Sequence, residues 1–424
     1  MHDVRELTDP EENAAPRLAR RGYELRIQQL EKAQRRRSAA VTRTANLRAE
    51  LKRASQGGRE ADAEAREEAR QLRDQAKTAA AEERAAEKQL QQALLTIPNI
   101  PLDEVPDGFL EKDAVEVRRG GPPPVAADET RHHALLGEQL GILDSARASK
   151  LSGARFSVAR GPGARLERAL GDFFLDLHTS AHGYTECSVP FLVSRETMTG
   201  TGQLPKFEDD LFVTRAGDRD LFLIPTAEVP LTNLFAQEVI DANRLPIALT
   251  ARTPCFRAEA GSYGRDTRGV LRLHQFEKVE LVRICAQQDA QQELALMLRH
   301  AEECLQLLEL SYRVVLLPAG DMGFSARMTY DIEVWLPGAD AFREISSVSD
   351  CGTFQGRRAG IRIRTPDGRK VPAATLNGSA LPIGRTMAAL IEQHRQPDGS
   401  LLMPEALVSY TGFRRILPDG STTL

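Results

Sequence analysis

The sequence predicts an α+β chain: an N-terminal antiparallel helical hairpin, then an antiparallel β-sheet flanked by helices. Two observations set this class. Residues 23–95 contain no proline and are dominated by Ala, Arg, Glu, Gln and Leu, all strong helix formers. From about His132 onward, β-rich runs such as 221–224, 279–285, 312–317 and 330–336 are separated by Gly/Pro turns and few helices, as in a domain built on an antiparallel sheet.

The helical stretch breaks once, at Ser55-Gln56-Gly57-Gly58, which reads as the tip of a hairpin. Leu25, Leu30, Leu47 and Leu51 before the break, and Leu72, Leu90 and Leu94 after it, recur at helical spacing with alanine between them. The expectation is two antiparallel helices of roughly 30 residues, each about 45 Å long. Between Glu31 and Asn46 only Val41 is a large apolar residue, so that section is expected to project into solvent. The first helix carries Arg26, Lys32, Arg35, Arg36, Arg37, Arg43, Arg48, Lys52 and Arg53 against few acids, while the second mixes signs. Such a basic helix is either a solvated face or an arm that lies along a phosphate backbone.

Prolines and glycines at 97–101, 105–108 and 120–124 mark an extended linker, which divides the chain into 1–100, a linker at 101–131 and a sheet domain at 132–424. A formal net charge of -4 implies no global attraction to polyanions, so any nucleic-acid contact must come from a local basic patch. The five cysteines lack metal-ligand spacing; no zinc is expected, and isolated thiols point to a reducing compartment. With no cationic-then-apolar leader and no run of about 18 apolar residues, a cytoplasmic protein without a membrane span is expected.

The most informative segment is 254–280, PCFRAEAGSYGRDTRGVLRLHQFEKVE. An Arg and a Glu two apart lead into a Gly- and Arg-rich turn, and the return run carries His274, Phe276 and Glu280. This layout suits a β-hairpin that grips a nucleoside triphosphate. No GxGxxG follows a strand and no GxxxxGK[ST] occurs, so neither the dinucleotide fold nor the P-loop accounts for such a site.

Further segments extend the pattern: GARLERALGDFFLDLHTSAHGYTECSVPFLV from Gly163, TGTGQLPKFEDDLF from Thr199, IPTAEVPLTN from Ile224, DIEVWLPGADAFREISSVSDCGTFQGRRAGIR from Asp331 and TLNGSALPIGRTMAALIEQ from Thr375. In this order they resemble the bacterial seryl-tRNA synthetases, class II aminoacyl-tRNA synthetases, over essentially the whole chain. The resemblance implies a six-stranded antiparallel catalytic sheet, a coiled-coil arm for tRNA, ATP as substrate with Mg2+, and a homodimer. The implied partners are L-serine and tRNA-Ser, with tRNA-Sec left open.

By the same resemblance, Arg257, Ala258 and Glu259, with Leu273, His274, Gln275 and Phe276, bind ATP. Arg257 would stabilise charge at the α-phosphate and Phe276 would stack the adenine. Glu344, Ile345, Ser346 and Ser347 complete the nucleotide site, Glu344 and Ser347 holding magnesium. Strand alternation would set Glu344 and Ser347 on opposite faces unless the strand ends or bulges there. Arg385 matches the arginine at the γ-phosphate and, with Arg257 and Glu344, makes up the implied catalytic set. Thr226, Ala227, Glu228, Arg257, Glu280, Asn377 and Ser379 match the serine-binding positions. Arg35, Arg36, Arg37 and Arg43 are the arm residues expected to meet tRNA. Arg265 and Arg268 in the hairpin loop are candidates for pyrophosphate or the tRNA acceptor end. Cys255, beside Arg257, has no patterned base and reads as packing.

The chain departs from the common bacterial pattern at Val348, Asp350, Thr353, Gly356 and Ala373. Asp350 adds a negative charge expected near the phosphate and serine pockets, where it either alters affinity or is a tolerated neighbour. The departures motivate a second reading, a specialised copy that resists an adenylate-like inhibitor or feeds a side pathway. A third is a non-charging paralogue that binds, regulates or loads a carrier protein; retention of Arg257, Glu259, Glu280, Glu344 and Arg385 speaks against a dead form, and retention of the long arm against carrier-protein loading.

Overall fold

Two long helices, α1 (Ile27–Ala54) and α2 (Ala63–Leu95), make up most of the N-terminal region. They belong to a computed structural model that describes residues 1–55, 63–260 and 269–424 and divides into two units, Met1–Ile100 and Pro101–Leu424. Partners across the helix pair descend in number along α2 as they ascend along α1, so the helices are antiparallel: Arg36 Nη1 donates to Gln89 Oε1 at 3.1 Å, and Arg43 pairs with Glu82 at 2.9 Å. Their base is apolar, with Leu30, Leu90 and Leu94 buried against Leu7, Leu18 and Ile97. Farther out, Ala76, Ala79 and Ala86 are buried, the small seam that lets the helices approach closely. Apart from Ser55, the expected tip lies outside the described residues.

In the second unit, eight strands form one sheet: β1 (Val115–Gly120), β2 (Thr185–Glu186), β3 (Ile247–Phe256), β4 (Gln275–Cys285), β5 (Tyr312–Leu316), β6 (Met328–Leu336), β7 (Ala341–Asp350) and β8 (Ala374–Pro382). Their order is β1-β5-β6-β7-β8-β4-β3-β2. The central six are antiparallel throughout. At the edges, β1 adds antiparallel and the two-residue β2 adds parallel.

Five helices position the sheet: α3 (Pro162–Ser180), α4 (Glu228–Asn233), α5 (Ala290–Leu307), α6 (Phe354–Ala359) and α7 (Ile383–Gln393). Pro162 opens α3, where its missing N–H costs nothing. Leu166, Leu170 and Phe174 then recur on one face and are fully buried. α5 packs across β7 and β8. Leu281, Ile332, Val334, Leu376 and Leu390 close the core, each buried side chain contributing roughly 1.5–3 kcal/mol of transfer energy.

The segment expected as a linker, 101–131, is instead part of this second unit. Its residues 115–120 are the edge strand β1. Around it, Leu102 N donates to Arg327 O (2.9 Å), Ser311 Oγ to Pro122 O (2.6 Å) and Trp335 Nε1 to Val125 O (2.8 Å). The prolines of this segment, at 101, 106 and 122–124, all fall outside β1, whose N–H groups are left for pairing with β5. Among the described residues no helix is long and apolar enough to cross a membrane.

Candidate active site

The hairpin of β3 and β4 pairs Phe256 with Gln275 and Ala251 with Glu280, and it extends beyond the strands through Arg257 N to His274 O at 3.0 Å. Its loop residues Arg265 and Arg268 lie outside the described residues. Above the hairpin, a cleft is walled by Arg257, Glu259, Arg272, Phe276, Glu344 and Arg385. The Arg257 guanidinium lies over the Phe276 ring, 5.2 Å from its centroid, and its Nε donates to Pro225 O at 3.3 Å. Glu259 sits at φ +53° and pairs with Arg272 at 3.2 Å. Arg272 was not among the expected site residues.

Arg385, in the first turn of α7, donates through Nη1 to Glu344 O (2.6 Å) and through Nε to Leu271 O (3.2 Å). The same Nη1 stands 3.5 Å from Glu344 Oε2. Desolvation in the cleft raises the Glu344 carboxyl, but Arg385, Arg257 and Arg272 outweigh it and hold it below the ordinary carboxylate range.

The alternation conflict at Glu344 and Ser347 is resolved by a β-bulge. β7 pairs with β6 as Glu344 opposite Glu333 and Ser346 opposite Ile332, so Ile345 is an extra residue. Beyond it, Ser347 stands opposite Asp331. Because Asp331 and Glu333 share a face, the bulge brings Glu344 and Ser347 to that face as well. Burial raises Asp331 well above the ordinary carboxylate range, with Glu344 adding to the shift, and its Oδ1 is buried with no hydrogen-bond partner. An orphaned carboxylate oxygen beside an ionised Glu344 and a serine hydroxyl is an oxygen donor set that fits magnesium. Ser346 points elsewhere, its Oγ donating to Ser379 O at 2.6 Å.

The cleft continues into a polar pocket on β4, β8 and the start of α4. Ser379 is opposite Glu280 in register, and Asn377 lies two residues before it. Asn377 Nδ2 and Gln355 Nε2 both donate to Glu228 Oε1, at 3.0 and 2.6 Å. Gln355, fully buried on α6, also donates to Thr201 O (3.1 Å) and accepts from Thr375 Oγ1 (2.7 Å). Burial, and next Glu280, push the Glu228 carboxyl up to about 7; burial also raises Glu280. Lys278 reaches into the same pocket from β4, pairing with Glu280. Sequence reasoning passed over Gln355 and Lys278, although Phe276, Lys278 and Glu280 fall at alternate positions of one strand. Ala227 is fully buried in an apolar cluster with Leu231, Ala251 and Val282.

Not every expected ATP residue faces the cleft. His274 bonds Arg257 O at 3.0 Å, and its ring packs near Phe156 and Phe212. Gln275 is exposed, and Ala258 N donates to Asp210 O at 3.0 Å. Leu273, a core residue, and Ile345 contribute apolar wall. Cys255 is fully buried, and that burial raises its thiol.

Two of the departures, Val348 and Asp350, lie behind the sheet. Val348 is opposite Gly378, and a β-carbon on Gly378 would meet both Val348 and Met297 of α5, so Val348 faces α5. Asp350, two residues on, faces the same way: Gln291 Nε2 of α5 donates to its Oδ2 at 2.9 Å, and Arg327 pairs with it at 2.8 Å. The added charge is thus neutralised on the side opposite Asn377 and Ser379. Thr353 precedes α6, where Arg357 Nε donates to its Oγ1 at 3.3 Å.

Among the described residues one group has metal-site spacing, His132, His133 and Glu392. The Val270 N–H donates to His133 Nε2 at 3.3 Å, and Nδ1 lies 2.6 Å from Glu392 Oε1, so both ring nitrogens of His133 are already bonded.

On the arm, Arg37 pairs with Glu87 at 3.4 Å and Arg35 with Glu31 at 3.5 Å, alongside the Arg36 and Arg43 contacts above. These side chains are about 40 to 76% exposed where paired with acids, so water screens the pairs and they exchange partners easily.

Comparison with known proteins places these features in a family. Residues 1–101 match the seryl-tRNA synthetase N-terminal domain, and residues 207–394 match the tRNA synthetase class II core domain (G, H, P, S and T). The chain is 68% identical over 426 residues to serine–tRNA ligase 2 of Streptomyces avermitilis, covering 100% of both. It is 49% identical over 420 residues to serine–tRNA ligase of Pseudomonas putida KT2440, covering 97% of this chain and 99% of that one. Its structure is similar to seryl-tRNA synthetase from Pyrococcus horikoshii complexed with ATP, with TM-score 0.87 and 31% identity, covering 99% of this chain and 100% of that one.

Proposed function

The chain belongs to the seryl-tRNA synthetase family and is a class II serine–tRNA ligase, and we propose that the cleft of Arg257, Glu344 and Arg385 and the pocket of Glu228 and Glu280 are its two subsites. The observation that carries this reading is their continuity along β4: Phe276 stands in the cleft and Glu280, four residues on, in the pocket. ATP would lie over Phe276, its phosphates between Arg257, Arg272 and Arg385. Serine would sit with its ammonium toward Glu228 and Glu280 and its side chain toward Asn377 and Ser379.

Activation joins the serine carboxylate oxygen to the α-phosphorus as the bond to the pyrophosphate oxygen breaks. Arg257 is set to meet the charge that grows on the α-phosphate, and no residue forms a covalent bond. Magnesium, held by Glu344 and Ser347 with Asp331 behind them, would neutralise polyphosphate charge. In the second step the terminal ribose hydroxyl of the tRNA attacks the acyl carbon and releases AMP. Arg35, Arg36, Arg37 and Arg43 would grip the tRNA-Ser backbone, by shape and charge rather than base reading. We also propose that the enzyme acts in the cytoplasm as a homodimer.

Serine-dependent pyrophosphate exchange and charging of a tRNA-Ser transcript test the reading. Both are expected, and Arg257→Ala is expected to abolish exchange. Exchange that responds equally to other amino acids, or survives Arg257→Ala, would overturn the assignment of the subsites.

A further inference from the structure

Lys278 is buried on β4, 5% exposed, amid residues assigned to serine. Its Nζ lies 3.1 Å from Thr226 Oγ1 and 3.1 Å from Ser379 Oγ, and it is ion-paired with Glu280. An ammonium has hydrogens to give and no lone pair to offer. Both hydroxyl oxygens must therefore accept from it, which decides where their own hydrogens can go.

Thr226 Oγ1 also accepts the Glu228 N–H at 3.2 Å. With both lone pairs taken, its own hydrogen is left to be donated, and Thr226 acts on the Glu280 carboxylate beside it. Ser379 Oγ accepts from Lys278, so its hydrogen is left to be donated to a ligand. With one lone pair held by the ammonium, a rotor that could otherwise turn either way is fixed with its hydrogen directed away from Lys278, where a ligand oxygen can accept it.

We propose that Lys278 is a specificity-determining positioning residue, which orients the Ser379 hydroxyl so that its hydrogen is available to the side-chain oxygen of the amino acid. The inference rests on the reading of this pocket as the serine site. Serine brings an acceptor oxygen. Alanine leaves the buried O–H unpaired, and unpaired polar groups are what a binding site discriminates by. The thiol of cysteine is a poor acceptor.

Binding of the non-hydrolysable seryl- and alanyl-sulfamoyl adenosines to the full chain reads this without requiring turnover. In the unmodified enzyme the seryl analogue should bind far more tightly. Lys278→Met should weaken the seryl analogue by about 100-fold and the alanyl analogue by less than about 5-fold, collapsing the ratio. Ser379→Ala should collapse it similarly, and the double variant should lose no more, because the lysine acts through that hydroxyl. Lys278→Arg, which keeps the charge and the donors, should retain part of the ratio and serves where Lys278→Met does not fold. Parallel weakening of both analogues, or additive losses in the double variant, would overturn the role of Lys278. Equal binding of both analogues by the unmodified enzyme would instead overturn the serine-site reading.

Discussion

The carbonyl oxygen of Ala373 lies against the α-carbon of Gly356, well inside the space that a β-carbon on that glycine would occupy. Both positions depart from the common pattern, and they do so together. Gly356→Ala should therefore push α6 from its bed and cost about 1–3 kcal/mol, read as a lowered urea midpoint at unchanged slope. A variant as stable as the parent would show that α6 shifts freely.

Asp350 and Arg327 should behave as a pair whose members cannot be removed singly. Arg327→Met leaves a fully buried carboxylate without its cation and is expected to cost roughly 3–5 kcal/mol. Adding Asp350→Leu should recover most of that loss. Seryl over alanyl selectivity should be unchanged in the double variant, since the pair faces α5.

Serine binding should depend on pH through Glu228. With its carboxyl near 7 in the free enzyme, the group is neutral below that pH and ionised above it. An ammonium prefers the ionised form, so kcat/KM for serine should rise with pH and level off above about 7. The other charges facing Glu228 are Glu280, which opposes ionisation, and Lys278 and Arg257, which favour it. At pH 6, binding should release a proton, measurable by calorimetry in buffers of different ionisation enthalpy. Glu228→Gln should abolish both effects, and a profile unchanged by that substitution would assign the limb elsewhere.

Asp331 should support magnesium use without touching ATP. Asp331→Asn is expected to raise the magnesium concentration for half-maximal pyrophosphate exchange by about 10-fold or more, with a smaller effect on serine KM. An unchanged magnesium profile would reduce Asp331 to a packing residue.

The arm arginines should matter for tRNA alone. Replacing Arg36, Arg37 and Arg43 by Ala should leave exchange intact, raise KM for tRNA-Ser, and flatten its salt dependence by up to about 0.7–0.9 per lost phosphate contact. Stability should fall little, because their pairs are exposed.

Much of this was legible in the sequence because the informative signals were local. Proline-free helix formers gave the arm, and the Arg-x-Glu turn gave the hairpin. What escaped depended on partners far along the chain. Nothing in Glu344-Ile345-Ser346-Ser347 announces that Ile345 is an extra residue; only its pairing with β6 shows it. The effect of Asp350 could not be judged without Arg327 and Gln291, both of them behind the sheet. The segment 101–131 was misjudged for a different reason. Its prolines mask Val115 and Val117, alternate residues of a strand that needs only one neighbour. Lys278 was readable by alternation, but a lysine between glutamates suggests a solvated face until Thr226 and Ser379 are seen to enclose it.

The bulge at Ile345 has a consequence for how this strand can change over evolution. A strand offers two sides, so every residue after an inserted one owes its side to a count that is odd or even. Removing Ile345 would restore the plain alternation, with Glu344, Ser346 and Ser347 opposite the same partners and on the same sides as before, so the bulge is a place where this strand can lose a residue. A single-residue deletion past the bulge is different: loss of Val348 would bring Asp350 opposite Thr329 and turn its carboxylate to the face that carries Glu344 and Ser347.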